Sequence, residues 1–138
     1  MKTISSRQNP LIKDLHLLAT SATERRQQAK TLLDGVHLVQ AAIAHGVSLD
    51  LVCVSERGYQ SEEIAALIEV LEPVTSCIYV PDVLFSHISP TDTPAGILAV
   101  IKLPTEMTVK PVTSSCVVLE CVQDVGNLGT ILRTAAAA

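Results

Sequence analysis

Apolar positions along this chain follow two rhythms, one recurring near every 3.6 residues and one continuous or alternating over short runs. That mixture predicts α/β layering. A helix is expected over residues 9–18 and a second around 23–30, followed by a strand at 31–33. Asp34 reads as the N-cap of a helix that carries Val36, Val39, Gln40 and Ile43 and ends at Gly46. A strand at 49–54 comes next. Ser61 then reads as a cap, with Glu62 and Glu63 in a first turn where the helix dipole favours negative charge. Ile64, Leu67, Ile68 and Leu71 supply that helix with one apolar face, and Pro73 stops it.

A third strand is predicted at 77–80, a short helix opens at 81–85 with Pro81 near its start, and a turn-rich stretch at 89–96 leads into a fourth strand at 97–101. Four strands and their helices close a domain at residues 1–102. Residues 103–115 hold Pro104 and Pro111 among polar side chains and have the composition of a linker. The apolar run 116–121 then predicts a strand covered on both faces, opening a second α/β unit at 116–138. After a loop at 122–127, Leu128, Ile131, Leu132 and Ala135 mark the buried face of a helix. One strand and one helix bury no core of their own, so the expectation is a second domain truncated at Ala138.

Composition narrows the function classes. With 48% hydrophobic and 17% charged residues and a mean hydropathy of +0.39, the chain has the material for a packed core, which excludes disordered and fibrous classes. No apolar run approaches the roughly 20 residues that span a bilayer, and the first residues lack the hydrophobic stretch of a signal peptide. A cytoplasmic protein without a membrane partner is the expectation. Tyr59, Tyr79 and Phe85 are too few rings for a base-stacking sheet of the RRM or OB type. Cys53, Cys77, Cys116 and Cys121 form no C-x-x-C pair, and Cys53, Cys116 and Cys121 sit in or beside apolar runs. Buried thiols are expected, with no metal site.

Charge is uneven along the chain. Residues 1–30 hold Lys2, Arg7, Lys13, Arg25, Arg26 and Lys30 against Asp14 and Glu24, a formal +4, and the remainder carries −8. A basic arm on an acidic body meets a polyanion locally; the alternative is a solvated helical face. Arg7, Lys13, Arg25, Arg26 and Lys30 are the candidate contacts for such a polyanion.

The segment from Glu120 to Ala135 reads as a strand, a Gly-bearing loop and a helix start, the arrangement that presents backbone N–H groups at a sheet edge. Gly129 lies one turn before Arg133, and its missing side chain leaves room for the guanidinium to reach back. Asn127 could be the helix N-cap. As spacing alone, Gly126-x-x-Gly129 matches neither a dinucleotide fingerprint nor a P-loop.

The order Asp124, Gly126-Asn127, Gly129-Thr130 and Arg133 resembles the first signature motif of the SpoU-type (TrmH-like) RNA 2′-O-ribose methyltransferases of the SPOUT superfamily. Val125 departs from the Pro usual there. Residues 4–13, Arg25-Arg26, the stretch 32–38 and the stretch 93–100 are similar to that family's substrate-binding domain. The resemblance implies a ribosomal-protein-like α/β RNA-binding domain followed by the first strand and helix of a trefoil-knot domain. It implies rRNA or tRNA as substrate, and S-adenosylmethionine as cofactor in a pocket beyond residue 138 with no cofactor-binding residue in this chain. Arg133 and Asn127 become the implied catalytic residues, Arg133 as base or electrostatic stabiliser, and a homodimer is implied for the complete protein. This chain alone is then expected to be inactive. The competing readings are a non-enzymatic RNA-binding module with a vestigial methyltransferase region, and a small nucleotide-binding regulator using the 123–130 loop.

Overall fold

The computed structural model describes residues 1–103 and 113–138, and the chain divides into two compact units, Met1–Thr105 and Glu106–Ala138. In the first unit the chain runs β1 (Lys2–Thr3), α1 (Pro10–Thr20), α2 (Ala22–Gln28), β2 (Lys30–Asp34), α3 (Val36–Ala44) and β3 (Leu49–Ser55). It continues through α4 (Glu56–Tyr59), α5 (Glu62–Leu71), β4 (Cys77–Val80), α6 (Asp82–Ile88) and β5 (Ile97–Lys102). The strands form one sheet in the order β1-β4-β3-β5-β2. β4 pairs in parallel with both β1 and β3, whereas β5 runs antiparallel between β3 and β2.

Strand alternation sorts the core into two layers. Leu51 and Cys53 of β3 point to the face covered by α1 and α6, where they meet Ile12, Leu15 and Phe85. Val52 and Val54 point to the opposite face, where α3 and α5 bring Val39, Ile64 and Ile68. Every residue from Leu51 to Ser55 is buried, as a strand covered on both sides requires. Each fully buried Val, Leu, Ile or Phe stabilises the fold by about 1.5–3 kcal/mol, so the helices are held mainly by their apolar faces.

Local signals place the helix starts. Asn9 accepts from the Leu11 N–H at 3.0 Å with Pro10 at the first helical position, and Ser21 accepts from the Glu24 N–H at 3.2 Å. Ser61 stands at the start of α5 as expected, although its hydroxyl makes no capping bond.

Several expectations need correction. The sheet has five strands rather than four, because the two-residue β1 is too short to leave a periodic signal. Asp34 is not a helix cap: it is the last residue of β2, paired with Leu98, and Gly35 (φ +106°) takes the cap position. The one-turn helix α4 has four residues, too few for an apolar period to recur, and so left no pattern.

The unit Glu106–Ala138 departs further. Residues 116–121 form no strand, because a strand exists only with a ladder partner and none lies beside these residues among those described, and Cys121 takes a left-handed φ of +54°. Cys116 and Cys121 are exposed, not buried, for the same reason, while Cys53 and Cys77 are buried. Helix α7 (Val125–Ala137) begins inside the stretch expected as a loop, and of its apolar face Leu128 and Ile131 are half-buried while Leu132, 54% exposed, and Ala135 are exposed. Of the expected linker 103–115, residues 104–112 lie outside the described residues.

Candidate nucleic-acid interface and motif helix

The basic residues of the N-terminal arm do not gather at one point. Arg7 precedes α1, and Arg25 reaches the other end of that helix, where its Nη1 donates to the carbonyls of Leu18 (2.7 Å) and Ala19 (3.3 Å). An 11-residue helix at about 1.5 Å per residue separates the two by roughly 16 Å. Lys30 pairs with Asp50 at 3.1 Å, and Lys102 approaches the same carboxylate at 3.9 Å. Arg7, Lys13 and Arg26 are exposed and make no salt bridge among the described residues. The arm is therefore a string of charges along α1 and α2, with Arg25 and Lys30 already engaged within the fold.

At the carboxyl ends of β3 and β4 the sheet opens a crevice of about 600 Å³. Its origin is topological. The chain leaving β3 builds α5 on one face and the chain leaving β4 builds α6 on the other, so the two connections diverge from adjacent strands. Parallel sheets leave their ligand crevices at such switch points.

Its floor is a short hydrogen-bonded chain. Ser55, 3% exposed, accepts from the Gly58 N–H at 2.9 Å, and its own N–H donates to the Gly96 carbonyl at 2.9 Å. The Asp82 Oδ1 accepts from the Arg57 N–H at 3.0 Å. That bond, with the Ser55 hydroxyl and the Arg57 charge nearby, holds the Asp82 carboxyl below its ordinary range against partial desolvation. Asp34 secures the lip: its Oδ2 accepts from Thr91 Oγ1 at 2.8 Å and from the Ser89 hydroxyl, tying down the loop that leads to Pro94–Gly96. Composition and spacing missed this site. Its signals, an S-x-x-G turn at Ser55–Gly58 and a Pro-Asp helix start at 81–82, mean little until the fold brings them together.

In the second unit, Asp124 and not Asn127 caps α7, accepting from the Asn127 N–H at 2.7 Å. Asn127 contributes its backbone to that cap. Thr130 Oγ1 donates to the Gly126 carbonyl at 2.9 Å and accepts from Arg133 Nη2 at 3.3 Å. The guanidinium lies over Gly129, where an added Cβ would come within 3.0 Å of Nη1. Arg133 is thus folded back toward the start of the helix, with Thr130 as its partner.

A family model described as the MRM3-like substrate binding domain matches residues 9–99. A Synechocystis protein described as an uncharacterized tRNA/rRNA methyltransferase is 35% identical over 136 residues, covering 98% of this chain and 49% of that protein. The 23S rRNA (guanosine(2553)-2′-O)-methyltransferase RlmP of Bacillus subtilis is 36% identical, covering 100% of this chain and 52% of that protein. A crystal structure of an RNA 2′-O ribose methyltransferase superposes with a TM-score of 0.75 at 27% identity, over 98% of this chain and 52% of that one. The chain spans about half the length of the curated relatives it matches. With the family model covering more than half of its residues, the chain belongs to the MRM3-like substrate-binding domain family.

Proposed function

We propose that this chain is the substrate-binding part of an RNA 2′-O-ribose methyltransferase acting on rRNA or tRNA, joined to the first motif of the catalytic domain. In this reading residues 1–102 grip RNA, 103–115 connect, and 116–138 begin the methyltransferase domain of a cytoplasmic homodimer. The observation that carries it is the match to RNA methyltransferases along essentially the whole chain, from the substrate-binding domain through the Asn127–Arg133 motif.

A ribose hydroxyl attacks poorly at neutral pH unless its proton is removed or its developing negative charge is stabilised. Arg133 supplies that function, and the Asp124 cap and Thr130 hydroxyl position it. S-adenosylmethionine supplies the methyl group when bound. The described residues of Glu106–Ala138 are all exposed or half-exposed, so they do not by themselves fit that cofactor, and no residue here is assigned to it.

The test is single-turnover methylation of rRNA and tRNA transcripts by the full-length protein. Arg133→Ala should slow the chemical step by about 10²- to 10⁴-fold with RNA affinity held within a few-fold. Undiminished turnover in that variant removes Arg133 from the reaction. Absence of methylation by the wild-type protein on every RNA class sinks the enzymatic reading.

A further inference from the structure

The crevice at the ends of β3 and β4 is lined wholly by residues of the unit Met1–Thr105, none of them a candidate site residue of the sequence. Its volume of about 600 Å³ lies in the range of small-molecule sites, roughly 300–1,000 Å³, and suits one nucleotide. Part of its lining is apolar: Val36, Ile64 and Phe85 on the helices, Pro94 on the loop. Flat aromatic ligands are held between such surfaces, and an unstacked base needs no aromatic partner when apolar side chains flank it.

The polar groups select further. Asp82 offers a carboxylate already fixed by the Arg57 N–H, with acceptor lone pairs to spare and its charge retained. A fixed, ionised acceptor pairs best with two adjacent N–H donors, which guanine presents on its Watson–Crick edge and uracil does not. Glu63 adds a second carboxylate, one oxygen of which is engaged by Gln40 at 3.1 Å. Asp82 is half-buried, whereas Glu63 and Arg57 are exposed, so the inner part of the crevice is negative and repels a phosphate. Arg57 itself is exposed, so a phosphate is served at the mouth while the base enters.

We propose that this crevice is a nucleotide site that takes one unstacked base with a donor edge, guanine above uracil, with its phosphate outside on Arg57. The proposal deepens the RNA-binding reading and rests on it for the source of the nucleotide, an RNA strand rather than a free mononucleotide.

The experiment is an NMR titration of the 15N-labelled chain with 5′-GMP, with 5′-UMP, and with short single-stranded RNAs rich in guanine or in uracil. Amide shifts are expected at Arg57, Gly58, Ile64 and Gly96, with GMP favoured over UMP by about ten-fold, the discrimination of one good bidentate pair. Asp82→Asn keeps the acceptor for the Arg57 N–H and should bring that preference close to one. Ala95→Leu, a change at an exposed position on the rim, should weaken both nucleotides without altering the melting temperature. Silent pocket amides while RNA binds elsewhere overturn the site and leave the RNA-binding reading standing. Pocket shifts with mononucleotides but no retention of any RNA support the site and sink that reading. An undiminished GMP preference in folded Asp82→Asn overturns the assignment to Asp82.

Discussion

Gly58 and Gly96 meet backbone to backbone beneath the crevice, so close that a side chain on Gly58 would overlap the Gly96 carbonyl, and one on Gly96 would fall 2.6 Å from the Gly58 Cα. The same carbonyl accepts the Ser55 N–H, so it has no freedom to withdraw. This approach sets how near the end of β3 comes to the start of β5.

Gly58→Ala should therefore cost about 3 kcal/mol, at the upper end of overpacking penalties, because the obstacle is backbone and not a movable side chain. Gly46→Ala provides the comparison: its φ is +70° but nothing lies within 4 Å of the added Cβ, so only the left-handed strain of about 1–2 kcal/mol applies. Urea unfolding of the two variants measures the difference. A loss at Gly58 no larger than that at Gly46 would show that the Gly96 backbone gives way to the added Cβ.

The rings of His16 and His87 stack at 4.0 Å, with His16 Nδ1 donating to the His87 carbonyl at 2.8 Å. Desolvation first, then the nearby His16 and Arg7, lower the His87 pKa from its ordinary 6.5. The neutral ring is the form the fold favours. Its contribution to stability is complete above pH 6.5 and is lost as pH falls through the lowered value. Melting temperature should fall between pH 7 and pH 5, and His87→Phe, which keeps the stack and removes the charge, should flatten that part of the profile. An unchanged slope in the variant assigns the acid sensitivity to other groups.

Arg25 and Arg26 are neighbours with different work. Arg25→Ala removes charged hydrogen bonds to the last carbonyls of α1 and should destabilise the chain by about 1–2 kcal/mol, discounted for partial exposure. Arg26→Ala should leave stability unchanged and reduce the log–log salt slope of RNA binding by about 0.7, the share of a single phosphate. Fluorescence anisotropy across a salt series, beside thermal melts, separates the two. An identical slope for Arg26→Ala would make that residue a solvated surface charge.

Burial pushes the Cys53 thiol far above its ordinary range, and it raises that of Cys77, with Glu72 adding to the shift. Cys116 and Cys121 are exposed. In the native chain Cys116 and Cys121 should react rapidly with an aromatic disulfide reagent, and Cys53 and Cys77 only on unfolding. Fast modification at Cys53 would contradict the packed β3 core.

Short-range physics made much of this chain readable from its sequence. Caps, helix dipoles and apolar periodicity act within a few residues, so α1, α5, β3 and the closeness of Gly129 to Arg133 were legible before any fold was known. Relationships between distant segments carry no such local mark. The Arg57 N–H and Asp82 are 25 positions apart and His16 and His87 are 71 apart; the parallel pairing of β3 with β4 brings the first two together, and the packing of α1 and α6 on one face of the sheet brings the second two together. Asp34 shows the difference at one residue. Its type and position suit a helix cap, yet its pairing with Leu98 turns the carboxylate to Ser89 and Thr91. The run 116–121 shows the converse: its composition is that of a buried strand, but strand formation and burial depend on partners, and composition supplies none.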